Sequence, residues 1–405
     1  MKNIPEIRIK GFEGEWKEKL IGDISDSFSG GTPNAHEPSY YGGKIPFIRS
    51  GEIESNKTEL FLTDKGYQNS SAKIVEKGTL LYALYGATSG EVAISNINGA
   101  INQAILAIYP HKGYDSVFMH YWLKANKKDI ISTYLQGGQG NLSGELVKSI
   151  KILFPNLAEQ QSLGSFFSSF DRLLSDHHRR LENLRRVKKS MLQKMFPQQG
   201  QTVPEIRFKG FSGEWEKAKL SDIASFSKGR GYSKNDLTTK GNGKPIILYG
   251  RMYTNYEFVI NNVDTYARPL PNSVYSTGKE VIVPASGETA EDISIASAVI
   301  SKGIILGGDL NIILPYDDIL YPPFLALYIT NSNVHYELSL KAQGKTIVHL
   351  HNDALEDLEI LVPPISEQQR LSSFFTSLDN LINDEVNYID QLTRVKSTLL
   401  QKMFV

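Results

Sequence analysis

The chain of 405 residues contains no cysteine. This absence excludes disulfides, thiolate metal sites and a cysteine nucleophile, and it fits a reducing compartment. There is no apolar run long enough to span a bilayer and no apolar signal segment at the N-terminus, which predicts a soluble, cytoplasmic protein without membrane contact. An excess of either charge is missing too, because 44 Lys and Arg balance 44 Asp and Glu. This balance argues against nucleic-acid binding by bulk charge alone but allows a local basic surface.

Catalytic and cofactor motifs are absent or incomplete. Residues 342–350, AQGKTIVHL, end like a phosphate-binding loop, but Ser339 stands where that loop needs glycine. LYPPF at 320–324 is similar to an adenine methyltransferase motif, but Tyr321 replaces the required amide or carboxylate, so we predict a Pro-led helix start. His349 and His351 would share one side of a strand, and a metal site there would need a third ligand such as Asp353. We predict no metal site and no cofactor in this chain, and we assign catalysis to its partners.

The chain contains two copies of the same frame. IPEIRIKGFEGEW at 4–16 returns as VPEIRFKGFSGEW at 203–215, and residues 153–197 align without a gap to residues 361–405, with about half of the positions identical. The period is too long for a solenoid or propeller repeat, so it predicts two large equivalent halves. If the halves are equivalent, the C-terminus lies close to the N-terminal copy of this motif.

Each frame ends in a long heptad pattern, which predicts two long helices that pack against each other in opposite directions. The predicted seam comprises Phe167, Phe170, Leu174, His177, Leu181, Leu184 and Lys188 in the first copy, and Phe375, Leu378, Ile382, Glu385, Ile389, Leu392 and Lys396 in the second. Opposite charges flank the two seams. One register consistent with the repeat places Lys188 against Glu385 and His177 against Lys396, where His177 would stay uncharged. The alternative is that each helix packs only on its own half.

The two middles, about 30–150 and 228–358, share almost no sequence. Runs such as EVAISNI and EVIVPA predict strands in both. A duplicated frame with different contents favours one scaffold that presents two different recognition surfaces.

The chain resembles the specificity subunits of Type I restriction–modification systems. The residues that carry the resemblance are PEIRFKGFSGEWE, the stretch at 30–53, LYALYGATSGEVAI at 81–94, NQAI at 102–105, and LVPPISEQQRLSSFF with the terminal QKMF. The resemblance implies an α+β fold with two pseudo-symmetric target recognition domains, 1–154 and 198–362, joined by antiparallel coiled-coil helices at 155–197 and 363–405. Each domain would read one half of a bipartite, non-palindromic double-stranded DNA target.

The resemblance also implies partners. The helices would set the spacing of the half-sites and dock two modification subunits, and restriction subunits would join the complex. The complex would use S-adenosylmethionine, ATP and magnesium through these other subunits.

Polar residues in turn-rich stretches of both middles are the candidate DNA contacts, because Arg and Lys suit guanine edges or phosphates and Gln and Asn suit adenine. They are Thr32, Tyr40, Tyr41, Lys44, Arg49, Ser50, Gln136, Gln139 and Asn141 in the first middle, and Lys228, Arg230, Tyr232, Lys234, Arg251, Tyr253, Lys345 and Thr346 in the second. An ordinary solvated loop is the alternative for each.

For the whole chain there are two alternatives to sequence-specific DNA recognition. One is a two-lobed scaffold for protein partners. The other is a stand-alone methylase or nuclease, against which the missing motifs argue.

Overall fold

The computed structural model describes residues 3–134, 141–341 and 348–405. The chain divides into two compact units: the first is Met1–His178 with Asn387–Val405, and the second is Arg179–Val386. Both long helices cross this division. The helix α6, Leu157–Lys194, starts in the first unit and ends in the second, whereas α13, Ile365–Met403, starts in the second and ends in the first. The predicted helical segments, 155–197 and 363–405, correspond to these two elements.

The other elements of the first unit are β1 Lys17–Leu20, α1 Ile21–Ile24, β2 Ser25–Ser29, β3 Tyr41–Ile48, β4 Leu60–Leu62, α2 Asp64–Gln68, β5 Lys73–Val75, β6 Leu80–Ala83, β7 Val92–Ile94, β8 Gly99–Ile101, β9 Ile105–Pro110, α3 Ser116–Ala125, α4 Lys127–Tyr134, α5 Gly144–Lys148 and β10 Lys151–Phe154. The other elements of the second unit are β11 Glu216–Lys219, α7 Leu220–Ile223, β12 Ala224–Lys228, β13 Leu237–Thr238, β14 Lys244–Ile247, α8 Arg251–Thr254, β15 Val259–Ile260, β16 Tyr266–Ala267, β17 Tyr275–Thr277, β18 Glu280–Pro284, β19 Ser286–Gly287, α9 Ala290–Ile293, β20 Ser297–Val299, β21 Lys302–Leu306, β22 Leu310–Pro315, α10 Pro322–Asn331, α11 Asn333–Lys341, β23 Val348–His349, α12 Asn352–Glu356 and β24 Glu359–Val362.

The two middles share a topology although they share almost no sequence. In the first unit the sheets have the orders β2-β9-β6-β7 and β4-β3-β8-β5. In the second unit the corresponding orders are β12-β22-β18-β20-β15 and β13-β16-β14-β21-β17, each with one added strand at the edge. The parallel pair β3 and β8 corresponds to the parallel pair β14 and β21. The predicted strands in EVAISNI and EVIVPA are β7, at the edge of its sheet, and β18, in the middle of its sheet.

A buried ion pair attaches the N-terminal motif of each half to its long helix. The guanidinium of Arg8 donates to both carboxylate oxygens of Glu159, at 2.8 and 2.7 Å, and to the carbonyl of Gly14. Arg207 binds Glu367 in the same way, with both distances 2.7 Å, and donates to the carbonyl of Gly213. Each glutamate side chain is 1% exposed. The repeated PEIR and EQQ sequences are therefore the two sides of one contact.

The neighbouring glutamine fixes the start of each long helix. The side chain of Gln160 accepts from the amide of Asp115 and donates to the carbonyls of Gly113 and Pro155. Gln368 accepts from the amide of Tyr321 and donates to the carbonyls of Ile319 and Pro363. Asp115 and Tyr321 are the N-cap residues of α3 and α10, so this glutamine ties two helix starts together. The LYPPF segment is thus the Pro-led helix start that its sequence predicts.

The end of each long helix is buried in the core of the unit it enters. Phe404 packs with Trp16, Phe118 and Phe167 in the first unit, with ring centroids 5.4 to 6.4 Å apart. Phe196 packs with Trp215, Phe324 and Phe375 in the second unit, at 6.1 to 6.2 Å. Aromatic side chains of this size contribute large buried areas. The repeated QKMF is therefore a core element in both units.

The predicted seam is the buried face of both helices, but the predicted register is wrong. Every predicted seam residue is buried or half-buried. Lys188 pairs with Asp379 at 2.5 Å, whereas Glu385 pairs with Arg180 at 3.3 Å. The ring of His177 packs on Tyr388, 4.6 Å between centroids, and Lys396 pairs with Asp171. The helices are antiparallel, as predicted. The contacts are displaced by about one heptad from the predicted register. His177 therefore does not face Lys396, which removes the reason for predicting that it stays uncharged.

The two lysines on the seam occupy equivalent positions. Lys396 with Asp171 in the first unit corresponds to Lys188 with Asp379 in the second, because the copies are offset by 208 residues. Near the chain ends the same equivalence holds. The amide of Ile7 donates to the carbonyl of Lys402 at 2.9 Å, and Ile206 to Lys194 at 2.8 Å. The C-terminus therefore lies beside the N-terminal motif, as predicted.

We expect Glu159→Ala to lower the free energy of unfolding of the first unit by about 3 to 5 kcal/mol, because it leaves the largely buried guanidinium of Arg8 without its carboxylate. Urea unfolding followed by circular dichroism measures this loss. The matched control is Glu54→Ala, which removes an exposed partner of Lys124 and is expected to cost less than about 1 kcal/mol. Equal losses for both variants would contradict a structural role for the Arg8 pair.

Candidate nucleic-acid interface

Four loops meet at one edge of the first unit, where strands of both sheets end. We call residues 30–40, 49–59, 84–91 and 102–104 the first rim. Backbone hydrogen bonds hold the loops together: Gly31 donates to Ile101 at 3.2 Å, Asn102 to Ile48 at 3.3 Å, and Leu84 to Ala104 at 2.8 Å. These loops connect strands of both sheets, so their side chains form one surface.

Glycine permits the tightest crossing on each unit. A Cβ on Gly30 would lie 1.9 Å from the carbonyl oxygen of Ile101, and one on Gly229 would lie 1.8 Å from that of Gly307. Any side chain there would separate the crossing segments. The residues that follow the crossing glycine differ between the units. They are Gly31 and Thr32 in the first unit and Arg230 and Gly231 in the second.

The first rim contains a cleft of 360 Å³ that brings together several predicted DNA contacts. Thr32, Tyr41 and Arg49 line it, together with Asn102 and the aromatic ring of Phe47. The hydroxyl of Thr32 donates to the side chain of Gln103, and that of Tyr41 donates to the carbonyl of Pro33 at 2.8 Å. Asn102 was missed at the sequence level because an isolated amide gives no periodic signal.

The other predicted residues of the first unit are spread around the cleft. Tyr40 is half-buried with Lys65 over its ring, and Ser50 is half-buried in a short 3-10 helix. Lys44 is exposed on β3, and the side chain of Asn141 accepts from the amide of Gly86 at 3.5 Å. Gln136 and Gln139 lie outside the described residues.

Carboxylates hold Arg49. Its guanidinium donates to both oxygens of Glu52, each at 3.0 Å, and to Glu59 at 2.8 Å. The hydrogen bond from Arg49 is the main reason that the pKa of Glu52 falls to about 2, and the same contacts raise the pKa of Arg49. Glu52 also accepts from the amides of Arg49 and Glu59 and from Thr58. Arg49 and Glu52 therefore organise the loop between β3 and β4.

The second unit has an equivalent rim, residues 229–236, 248–262, 285–289 and 307–309. Arg251 follows β14 as Arg49 follows β3, and it binds Glu257 at 2.5 Å and the carbonyl of Asn262 at 2.8 Å. Burial is the main reason that the pKa of Glu257 is raised. The acidic partners of both arginines were missed at the sequence level, although the Arg-x-x-Glu spacing of residues 49–52 was a usable signal.

The remaining predicted residues of the second unit differ in how firmly they are held. Tyr232 hydrogen-bonds Ser273, and Tyr253 donates to the carbonyl of Ser286, each at 2.5 Å. Arg230 is half-buried, and its amide donates to the carbonyl of Leu306. Lys228 and Lys234 are exposed. Lys345 and Thr346, with the GKT sequence that contains them, lie outside the described residues.

Lys44, Lys228 and Lys234 are exposed cations in or beside the two rims. None of them has a carboxylate within ion-pair distance among the residues that the structure describes. Arg49 and Arg251, in contrast, are compensated by carboxylates. The lysines therefore suit phosphate contacts better than these arginines do.

The described part of the chain offers no metal centre and no membrane segment. The rings of His349 and His351 stack at 6.4 Å. Even so, no group of three or more His, Asp or Glu side chains in residues 3–134, 141–341 and 348–405 could hold a metal ion. In the same ranges no helix is long and apolar enough to cross a bilayer.

Comparisons with known proteins agree with this geometry. The family described as "Type I restriction modification DNA specificity domain" matches residues 13–186 and 212–394, once in each half. The Type I restriction enzyme MjaIX specificity subunit of Methanocaldococcus jannaschii is 23% identical, and the match covers 96% of this chain and 92% of that protein. The EcoR124I/EcoR124II specificity subunit of Escherichia coli is 24% identical over 40% of this chain and 42% of its own.

Solved structures share the fold. The crystal structure of the S subunit of a Type I restriction–modification system from M. genitalium superposes with a TM-score of 0.63 at 17% identity, covering 99% of both chains. A structure described as the basis of complex assembly and conformational transition of the Type I system gives 0.56 at 15% identity, covering 96% of this chain and 97% of that one. With two matched domains, two equivalent units and two rims, the chain belongs to the family of specificity subunits of Type I restriction–modification systems.

Proposed function

We propose that each unit reads one half of a bipartite, non-palindromic DNA target. As a specificity subunit the chain recognises DNA sequence and is not itself the enzyme. The observation that supports one half-site for each unit is that both units have the same strand plan but carry different rim side chains. Equivalent surfaces with unlike chemistry suit two unlike half-sites.

The rims divide into two kinds of contact. In this proposal Lys44, Lys228 and Lys234 bind phosphates, which positions the protein without reading sequence. The amides and hydroxyls in the loops, such as Asn102, Asn141 and Thr32, have the donors and acceptors that base edges require. Arg49 shapes the loop between β3 and β4, and Arg251 shapes the segment that follows β14.

We further propose that the paired helices dock two modification subunits and that restriction subunits join through the complex. In this arrangement S-adenosylmethionine, ATP and magnesium are bound by those other subunits. Relatives are named as specificity subunits of restriction enzymes, which supports partner subunits of this kind. Because the substrate is cellular DNA, we place the complex in the cytoplasm.

We expect replacement of residues 30–150 by the middle of another specificity subunit to change only one half of the methylated sequence, because the rim of the second unit is untouched. Methylome sequencing of cells that express the complete complex measures both halves at once. The control is the reciprocal replacement of residues 228–358, which changes the other half. A protein-only scaffold predicts no sequence preference in any variant, and a simultaneous change of both halves would also contradict the proposal.

We expect Glu52→Gln to weaken binding to the target DNA by about 1 to 3 kcal/mol, comparable to the loss of one good base contact. The reason is that Glu52 holds Arg49 and the loop between β3 and β4. Arg49→Ala has the same effect, and the double variant is no worse than either single variant because both residues act through one contact. Gel shift and salt-dependent binding measure these effects.

The sign of the effect of Glu52→Gln decides between two roles of Arg49. If Arg49 contacted a phosphate directly, removal of the neighbouring negative charge would tighten binding. Glu59→Gln is the matched control, because its side chain is 83% exposed and makes a single contact to Arg49. We expect it to leave the affinity nearly unchanged.

A further inference from the structure

The second unit contains a cleft of 590 Å³ that borders the second rim and shares with it Glu257, the partner of Arg251. One wall is α6, another is α13, and the third is the segment 255–261, which contains the added strand β15. The volume lies in the range of sites that bind small molecules. Its lining includes apolar residues such as Leu192, Phe258 and Ile382, together with basic and amide side chains.

The cleft surrounds one of the two equivalent ion pairs. Lys188 and Asp379 both line it, and each side chain is 27% exposed. In the first unit Lys396 of the equivalent pair is 10% exposed and Asp171 is 42% exposed. There Tyr121 donates to Asp171 at 2.6 Å, and Lys396 lies over the ring of Tyr121. Where the first unit has Tyr121 on α3, the second has Leu327 on α10, counted from the aligned Phe118 and Phe324, and Leu327 has no hydroxyl to close the pair.

The repeat has diverged at the residues that line the cleft. The ion pair itself is kept in both copies, but Arg185 stands opposite Thr393 in the alignment of the copies, and Lys189 opposite Ser397. On α13, Asn380 and Asn383 replace the residues Arg172 and Ser175 of the first copy. Around the retained pair the second unit therefore carries two cations on α6 and two amides on α13, where the first unit carries Thr393 and Ser397 on α13 and Arg172 and Ser175 on α6.

Charge in the cleft favours an anion. Arg185, Lys188 and Lys189 are its cations, and Asp379 and Glu257 are its carboxylates. Glu257 is compensated by Arg251 and Asp379 by Lys188. Among the described residues, Arg185 pairs with the exposed Glu182, and such a surface pair is easily exchanged. The cleft therefore has a net positive charge, and Lys189 in it is exposed.

Hydrogen-bond donors accompany these cations. Among the described residues, the side-chain amides of Asn255, Asn380 and Asn383 make no hydrogen bond within the protein. Each can donate two N–H groups to oxygen. Cations together with unused amide donors match the oxygens of a phosphate, which accept charge-assisted hydrogen bonds.

We propose that this cleft binds a phosphate group. Two sources supply that chemistry, the backbone of DNA and a free phosphate-bearing small molecule. If the phosphate belongs to the DNA backbone, the inference rests on the proposed function; if it belongs to a small molecule, it does not. It assigns to the second unit a binding site whose lining differs from the equivalent positions of the first unit, although the frame around it is duplicated.

The test uses the full-length chain with Arg185→Thr and Lys189→Ser, alone and together. Both side chains are exposed, and both substitutions install the residue that the other copy carries, so the fold is expected to be kept; thermal unfolding verifies this. Arg186→Thr is the matched control, since it removes one exposed charge from the same turn of α6 outside the cleft. The probes are inorganic pyrophosphate, by calorimetry, and a mixed-sequence DNA duplex, by binding at several salt concentrations.

A free ligand is indicated if pyrophosphate binds the wild-type chain and the double variant loses about tenfold or more in affinity while Arg186→Thr does not. DNA backbone is indicated if the salt slope of duplex binding falls by about one for each removed contact, beyond the control, with the preferred sequence unchanged. The proposal is overturned if neither probe distinguishes the double variant from the control. If the wild-type chain did not bind DNA, the result would count against the proposed function. The pyrophosphate experiment would still test whether the cleft binds phosphate.

Discussion

The antiparallel pairing of α6 and α13 is the constraint on which the rest of the structure depends. It sends the end of each helix into the unit where the other helix begins, so Phe404 completes the aromatic core around Trp16, and Phe196 completes the core around Trp215. Neither core is continuous in sequence. The equivalent ion pairs of Lys396 with Asp171 and Lys188 with Asp379 then fix the axial position of the helices. Partly buried polar contacts are well suited to setting register in such a seam.

The frame explains how recognition surfaces can differ without a change of fold. The Arg–Glu pairs, the helix-start glutamines and the terminal phenylalanines are repeated because each makes the same contact twice. The middles need only keep their strands apolar and their crossing glycines, so their loops are free to diverge. The cleft on the second unit extends this reasoning to the frame itself. There the exposed residues around a retained ion pair have changed.

Much of this fold could be predicted from the sequence, because long heptads, buried strand runs and the Pro-Pro helix start are local signals. The register could not. A shift of one heptad returns every apolar seam residue to the seam, so the pattern alone does not choose between registers, and the deciding carboxylates, Asp171 and Asp379, lie beside the seam. The roles of Arg49 and Arg251 could not be fully predicted either, because Glu59 and Asn262 are distant from them in sequence and become neighbours only in the folded loops. The cleft depends on the difference between Tyr121 and Leu327, whose importance appears only when the two units are compared.

Site-directed cross-linking tests the helix register most directly, and the absence of native cysteine leaves no background. Leu174 and Leu392 lie between the Asp171–Lys396 and His177–Tyr388 contacts, so a chain with both residues changed to cysteine should cross-link rapidly through a short thiol reagent. The register displaced by one heptad would instead bring Leu181 to Leu392. Efficient cross-linking of the Leu174 and Leu392 positions, with little at Leu181 and Leu392, is the result that this structure predicts. The reverse result would contradict the pairing from which both cores and both ion pairs follow.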